Sequence, residues 1–288
     1  MKITAVRPWI IQVPWSIRPG EEPSVNNLHE LLFCQVDTDE GITGWGEVTT
    51  YPGVVGNRSV AHMIREVGST LIGRDPAHIE RIWIDNVRTM TYVGTRGAVS
   101  ATASAIDIAL WDIQGKALNL PIYMLMGGPV RDRIALYTHP PSTTDPIQAA
   151  KDARAIVDAG YDAFKFDPMM HNIPEGNAHY IDGQLSRKGM EEAWEITAAI
   201  REEVGPAPEL LIDAHGKYNV PTAIDLCLGL EKSNIFWFEE PVPVESNHAL
   251  RQVREKINAK ISVGERLFTR WEFVDIFENE LADFVMPD

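Results

Sequence analysis

Three short apolar runs in the second half of the chain each lead into an acid, and their spacing restricts the fold more than anything else in the sequence. Leu210-Leu211-Ile212 leads into Asp213, Phe236-Trp237-Phe238 into Glu239, and Ile261-Ser262-Val263-Gly264 into Glu265, at equal intervals of 26 residues. A fourth run, Phe284-Val285-Met286, stands just before Asp288. Between the runs the apolar residues take helical spacing, as at Ala249, Leu250, Val253 and Ile257. A short buried strand followed by an amphipathic helix, repeated in this way, predicts a parallel sheet with helical crossovers. The acids then sit at the C-terminal ends of strands, which in a β/α barrel converge on the face where active sites are built. Single acids after strands are commonly helix caps or solvated loop residues. Three in the same place repel one another unless a cation lies between them, and an all-oxygen set suits a hard ion such as Mg²⁺.

Upstream, the alternation begins after Arg133. Ile134 to Tyr137 is predicted as a first strand, Asp145-Pro146 as the cap and first turn of a helix, and Gly160 as its end. Ala163 to Phe166 is a second strand, carrying Lys165 and running into Asp167-Pro168. Met190, Ala193, Ile196, Ile200 and Val204 form one helical stripe. The expected class is α/β, a TIM-type β/α barrel domain over 131–288. Only six strand units can be counted, and such a barrel closes with eight. The count predicts a barrel truncated after its sixth strand, the N-terminal part of a longer protein, rather than a chain whose partner supplies the missing strands.

Residues 1–130 read as a separate α+β domain. Three strand-like arms (Ile3 to Val13, Glu30 to Val36, Ile42 to Val48) predict a small antiparallel sheet with a turn at Asp39-Glu40-Gly41. Loops are expected at Ser16 to Asn27 and Tyr51 to Asn57. Helical patterns follow from Val60 to Leu125. The nearly apolar stretch Ser104 to Ile113 predicts a helix buried on most sides, with Trp111 and Asp112 in interdomain packing and capping. Gly127-Gly128-Pro129 marks the boundary near residue 130.

The formal net charge of −15 in 288 residues disfavours nucleic acid and anionic membrane as partners. Cys34 and Cys227 fall in buried-looking runs and read as free thiols of a reducing compartment. No stretch has the length of a secretory or membrane-spanning segment, so cytoplasm is the expected location.

Taken in order, several short motifs resemble the enolase superfamily, in particular its mandelate racemase-like acid-sugar dehydratases, over essentially the whole chain. They are Gly44-Trp45-Gly46-Glu47, Ala105 to Asp112, Phe164-Lys165-Phe166-Asp167-Pro168, Ile212-Asp213-Ala214-His215-Gly216, Phe238-Glu239-Glu240-Pro241, Gly264-Glu265-Arg266 and Met286-Pro287-Asp288. The resemblance implies an N-terminal capping domain over a modified barrel, and Mg²⁺ on Asp213, Glu239 and Glu265. It further implies that Asp288 orients a histidine base on the next strand, that the protein is a homo-oligomer, and that the substrate is a small acid sugar. Removing a proton beside a carboxylate places two negative charges on one group. The superfamily's scheme of a Lys or His base with Mg²⁺ relieves this through the divalent ion, and Lys165, pointing into the barrel mouth from the second strand, is expected to add a fixed positive charge at the same oxygens.

Lysine-base members carry Lys-X-Lys on this strand; Asp167 occupies the third position here, which argues against a two-lysine epimerase or cycloisomerase. His215, two residues after Asp213, shares its side of the strand if extended geometry continues. As in galactonate dehydratase-like members it is then the general acid for a departing 3-hydroxyl, giving a 2-keto-3-deoxy acid; a structural histidine is the plain alternative. A racemase or epimerase on the same scaffold, or a non-catalytic scaffold, are the competing functions. Glu240 and Arg266 neighbour the metal acids as supporting partners. His171 and His179 fall in a polar loop, and Trp15 and Arg18 beside a lid-like segment.

Overall fold

The computed structural model describes residues 1–15, 24–48, 53–169 and 180–288. Arg18, His171 and His179 lie outside the described residues, as does most of the first expected loop. The side chain of Trp15 is likewise not described. The chain divides into two compact units, Met1–Arg133 and Ile134–Asp288.

In the first unit β1 (Ile3–Trp15), β2 (Ser24–Thr38) and β3 (Thr43–Val48) form an antiparallel sheet in the order β1-β2-β3. Helices α1 (Gly53–Ser69), α2 (Ile79–Thr89), α3 (Ala98–Leu118) and the short α4 (Ile122–Leu125) follow. Helix α1 begins at Gly53, so the loop expected over Tyr51 to Asn57 is helical from that residue on. The core joins Leu32, Cys34 and Val36 of β2 to Ile64 of α1 and Ile106, Ala109 and Leu110 of α3.

The Gly44-Trp45-Gly46 motif permits this packing. A Cβ at Gly44 would stand 2.1 Å from the Ala109 carbonyl oxygen, and one at Gly46 2.0 Å from that of Ala105. Only glycine lets the backbones of β3 and α3 come so close. Asp112 strengthens the join by accepting hydrogen bonds from the Trp45 N–H at 2.8 Å and the Lys116 ammonium at 2.6 Å. It thus ties α3 to β3 within the unit rather than capping a helix.

In the second unit α5 (Pro146–Asp158) is capped by Asp145, whose side chain accepts from Ile147 N–H at 3.0 Å. Next come β4 (Ala163–Phe166), the small hairpin β5 (Tyr180–Ile181) and β6 (Gln184–Leu185), and α6 (Arg187–Val204). The regular alternation then runs β7 (Glu209–Asp213), α7 (Val220–Leu230), β8 (Trp237–Glu239), α8 (Asn247–Arg254), β9 (Lys260–Val263), α9 (Thr269–Glu278) and β10 (Phe284–Val285). The strands form one parallel sheet ordered β10-β9-β8-β7-β4.

The first strand expected, over Ile134 to Tyr137, is not a strand: only Thr138 bridges to Phe164, in parallel sense. Ile134 and Leu136 are exposed, and beside that bridge the Tyr137 ring meets Trp237 of β8 edge-on at 5.9 Å. The sheet therefore contains five strands and a bridge where six strands were expected. Phe164, Leu210, Ile212, Phe238 and Ile261 fill the core against Ala193, Ile196 and Ile200 of α6. Cys34 and Cys227 are buried free thiols; burial pushes the Cys34 pKa up to about 12. No helix among the described residues is long and apolar enough to cross a membrane.

Candidate active site

Asp213 and Glu239 are the last residues of adjacent parallel strands and are paired directly in register. Glu265 reaches them differently. The register partner of Glu239 on β9 is Ser262, so Glu265 lies past the strand end. Equal spacing in sequence is therefore not equal register. Gly264, at φ +148°, makes the detour possible, and its N–H donates to Glu240 Oε1 at 2.9 Å. One carboxylate oxygen from each of Asp213, Glu239 and Glu265 lies within 4.8 Å of the others.

Gly264 admits no side chain, since a Cβ there would meet the Met286 carbonyl carbon and oxygen at 2.7 Å. We expect Gly264→Ala to cost more than about 1 kcal/mol, because the backbone conformation and the space are both unsuited to an L side chain. It should also weaken metal binding by displacing Glu265. Denaturant midpoints and a Mn²⁺ titration read the two effects, and an unchanged affinity would contradict the role given to the detour.

Lys165, from β4, reaches into the acid cluster. Its Nζ lies 2.5 Å from Glu239 Oε1 and 2.9 Å from Asp213 Oδ2. Burial works against its charge, but Asp213 and Glu239 more than offset this and hold its pKa above the usual lysine value. Burial, and then the charge of Asp213, push the Glu239 carboxyl up to about 8. Burial also opposes ionisation of Asp213, but His215 and Lys165 outweigh it and hold that carboxyl below the usual range.

One lysine cannot neutralise three carboxylates. The donor set is all oxygen, two acids from strand ends and one from the turn after β9, and fits a hard divalent cation. Glu240 is buried beside it with its carboxyl raised to about 7 by burial, and Arg266 Nε lies 3.5 Å from Glu265 Oε1.

His215 is not on extended backbone: strand β7 stops at Asp213 and His215 takes φ +52°. The expectation that strand alternation brings it beside Asp213 is corrected here. A left-handed turn does so instead, fixed by the His215 N–H donating to Asp213 Oδ1 at 2.9 Å. The ring still returns to the cluster, with Nε2 3.5 Å from Asp213 Oδ2 and Nδ1 3.3 Å from Asp167 Oδ2.

Lys165, Asp213, His215 and Glu265 line a cavity of about 250 Å³. Asp288 follows β10, is exposed, and is not among the residues lining it. Three neighbours escaped the sequence reading in these roles. Trp237 donates from Nε1 to Glu239 Oε2 at 3.0 Å, a contact foreshadowed only by its place two residues earlier on the same strand. Lys217 donates to Asp167 Oδ2 at 2.9 Å. His139 lines the cavity just after the Thr138 bridge.

Two family patterns match the chain: residues 6–127 as the mandelate racemase / muconate lactonizing enzyme N-terminal domain, and residues 148–288 as an enolase C-terminal domain-like region. The chain belongs to the enolase superfamily, in its mandelate racemase / muconate lactonizing enzyme group. Among its enolase-superfamily relatives is a D-galactonate dehydratase of Klebsiella pneumoniae, 33% identical over all of this chain and 68% of its own length. A D-galactonate dehydratase family member from Streptomyces bingchenggensis is 32% identical, over 88% of this chain. The match spans 65% of that relative, so the chain accounts for less than two thirds of its length. A solved enolase-superfamily member from Salmonella Typhimurium superimposes on all of this chain and 73% of its own, with a TM-score of 0.87 and 32% identity.

Proposed function

We propose that this chain carries the metal-binding and general-acid part of a hydro-lyase acting on an acid sugar, an aldonate, to give a 2-keto-3-deoxy acid. The observation that carries the reading is the meeting of Asp213, Glu239 and Glu265 beside Lys165 and His215, four of which (all but Glu239) line one cavity. The D-galactonate dehydratases among the relatives support the substrate class.

Asp213, Glu239 and Glu265 would hold Mg²⁺, which when bound would supply positive charge for the second negative charge that the substrate carboxylate gains as the α-proton leaves. Lys165, kept cationic by its two acidic neighbours, faces the same developing charge. His215 delivers a proton to the 3-hydroxyl, which departs as water, and the resulting enol becomes the 2-keto acid by tautomerisation. The α-proton goes to a histidine oriented by Asp288, as the family resemblance implies. The protein is taken to be cytoplasmic and homo-oligomeric, with no nucleic-acid or membrane partner.

Incubating the full-length protein with Mg²⁺ and a panel of aldonates should yield semicarbazide-reactive 2-keto acids. His215→Asn should abolish that product while solvent deuterium still exchanges at C2. A wild-type protein that exchanges deuterium yet forms no keto acid is a racemase or epimerase, and this reading then falls.

A further inference from the structure

We propose that Asp167, backed by Lys217, is a positioning residue for His215: it keeps the ring proton on Nδ1 and leaves Nε2 to face the cavity. The inference deepens the general-acid reading of His215 and rests on it for its catalytic consequence, though not for its structural one.

The Asp167 side chain is only 7% exposed, and among the described residues the Met169 N–H and the Lys217 ammonium donate to it. Its Oδ1 accepts from the Met169 N–H at 3.0 Å. Its Oδ2 accepts from the Lys217 ammonium at 2.9 Å and lies 3.3 Å from His215 Nδ1. An ionised carboxylate only accepts, and an ammonium beside it keeps it ionised. The imidazole nitrogen facing it must therefore carry a hydrogen. At 3.3 Å the contact is longer than a formed hydrogen bond, as such contacts often are before substrate closes the site.

The competing arrangement places the proton on Nε2, toward Asp213 Oδ2 at 3.5 Å. Each carboxylate already takes one backbone N–H and one lysine ammonium, so the placement of the ring decides: Nδ1 is buried and lies 3.3 Å from Asp167 Oδ2, nearer than Nε2 lies to Asp213 Oδ2. The backbone leaves the ring little other freedom, because the left-handed turn at His215 is pinned on both sides. Its own N–H is held by Asp213, and the Gly216 N–H donates to the Glu240 carbonyl at 2.6 Å. With the ring so placed, Nε2 is the nitrogen able to meet a substrate hydroxyl; as general acid the ring carries a second proton there, gives it to the departing hydroxyl, and is left as the neutral Nδ1–H form that Asp167 holds.

Asp167→Asn reverses the logic. The Met169 N–H needs an oxygen, so the amide oxygen takes the place of Oδ1 and the amide NH₂ turns toward Lys217 and His215. A donor now faces Nδ1, which must become the acceptor, and the ring proton moves to Nε2.

Nitrogen-15 NMR of histidine-labelled, metal-free protein at about pH 9, where free imidazoles are neutral, reads the tautomer directly. The chain has 8 histidines, so His215 is assigned by its loss in His215→Asn. The expected result is a proton on Nδ1 in the wild type and on Nε2 in Asp167→Asn. A wild-type proton on Nε2 overturns the proposal whether or not Asp167→Asn folds, and so does the same tautomer in both proteins. In the dehydration assay Asp167→Asn should lower kcat by at least about 10²-fold with KM within about twofold, since a wrong tautomer removes proton transfer and not binding. Asp167→Glu, which keeps the carboxylate, should recover part of the loss. The expected tautomers without any wild-type dehydration would leave the positioning intact and remove the general-acid reading alone.

Discussion

Replacing Lys165 by Met should destabilise the metal-free protein by about 3–5 kcal/mol, the usual cost of removing one partner from a buried ionic cluster. Lys165 is the cation between Asp213 and Glu239, at 2.9 and 2.5 Å, in a place where water supplies little compensation. Without it two buried carboxylates face each other, with a third oxygen within 4.8 Å. Glu239 can escape part of the penalty by taking up a proton, so the loss should be larger at about pH 9 than at about pH 6. A divalent ion among the same oxygens replaces the missing charge. Mg²⁺ should therefore raise the melting temperature of Lys165→Met more than that of the wild type. A smaller shift in the variant would show that the lysine and the ion do not share a site.

The second large effect is the pH dependence of metal binding. The Glu239 carboxyl is raised from 4.5 to about 8, first by burial and then by the charge of Asp213. Its folded value lies above its unfolded one. Its contribution to stability is therefore full below 4.5 and is lost as pH rises through about 8. Metal binding runs the other way, because the ion needs the carboxylate and must displace the proton. Apparent affinity should rise about tenfold per pH unit below the pKa of Glu239, and level off above it. Calorimetric titrations with Mg²⁺ across that range check the slope, and Glu239→Gln should remove both the slope and most of the binding. A flat profile in the wild type would mean that Glu239 is not a ligand.

Much of this site could be read from the sequence, though not always for the right reason. Asp213 and Glu239 follow from an apolar run ending in an acid, because parallel strands in register set such residues side by side. Equal spacing points to Glu265, yet the β9 residue in register with Glu239 is Ser262, and only the conformation open to Gly264 returns Glu265 to the cluster. Strand alternation points to His215, but the strand stops at Asp213 and His215 reaches the site through a left-handed turn. Lys217 could not have been found by period or spacing, since that same turn decides where it points. The Ile134 to Tyr137 stretch has strand-like residues, but strand pairing depends on its neighbours, and only Thr138 is paired. In the first unit the close approach of β3 and α3 was written in Gly44 and Gly46, although its purpose became clear only with Ala105 and Ala109 opposite them.

Manganese binding followed by electron paramagnetic resonance tests the central claim most directly, because Mn²⁺ takes oxygen ligands as Mg²⁺ does and its free form is counted by its signal. The account predicts one ion bound per chain, displaced by Mg²⁺, and lost in Asp213→Asn and Glu239→Gln variants that remain folded. Mn²⁺ left entirely free, or bound equally well after either substitution, would contradict it.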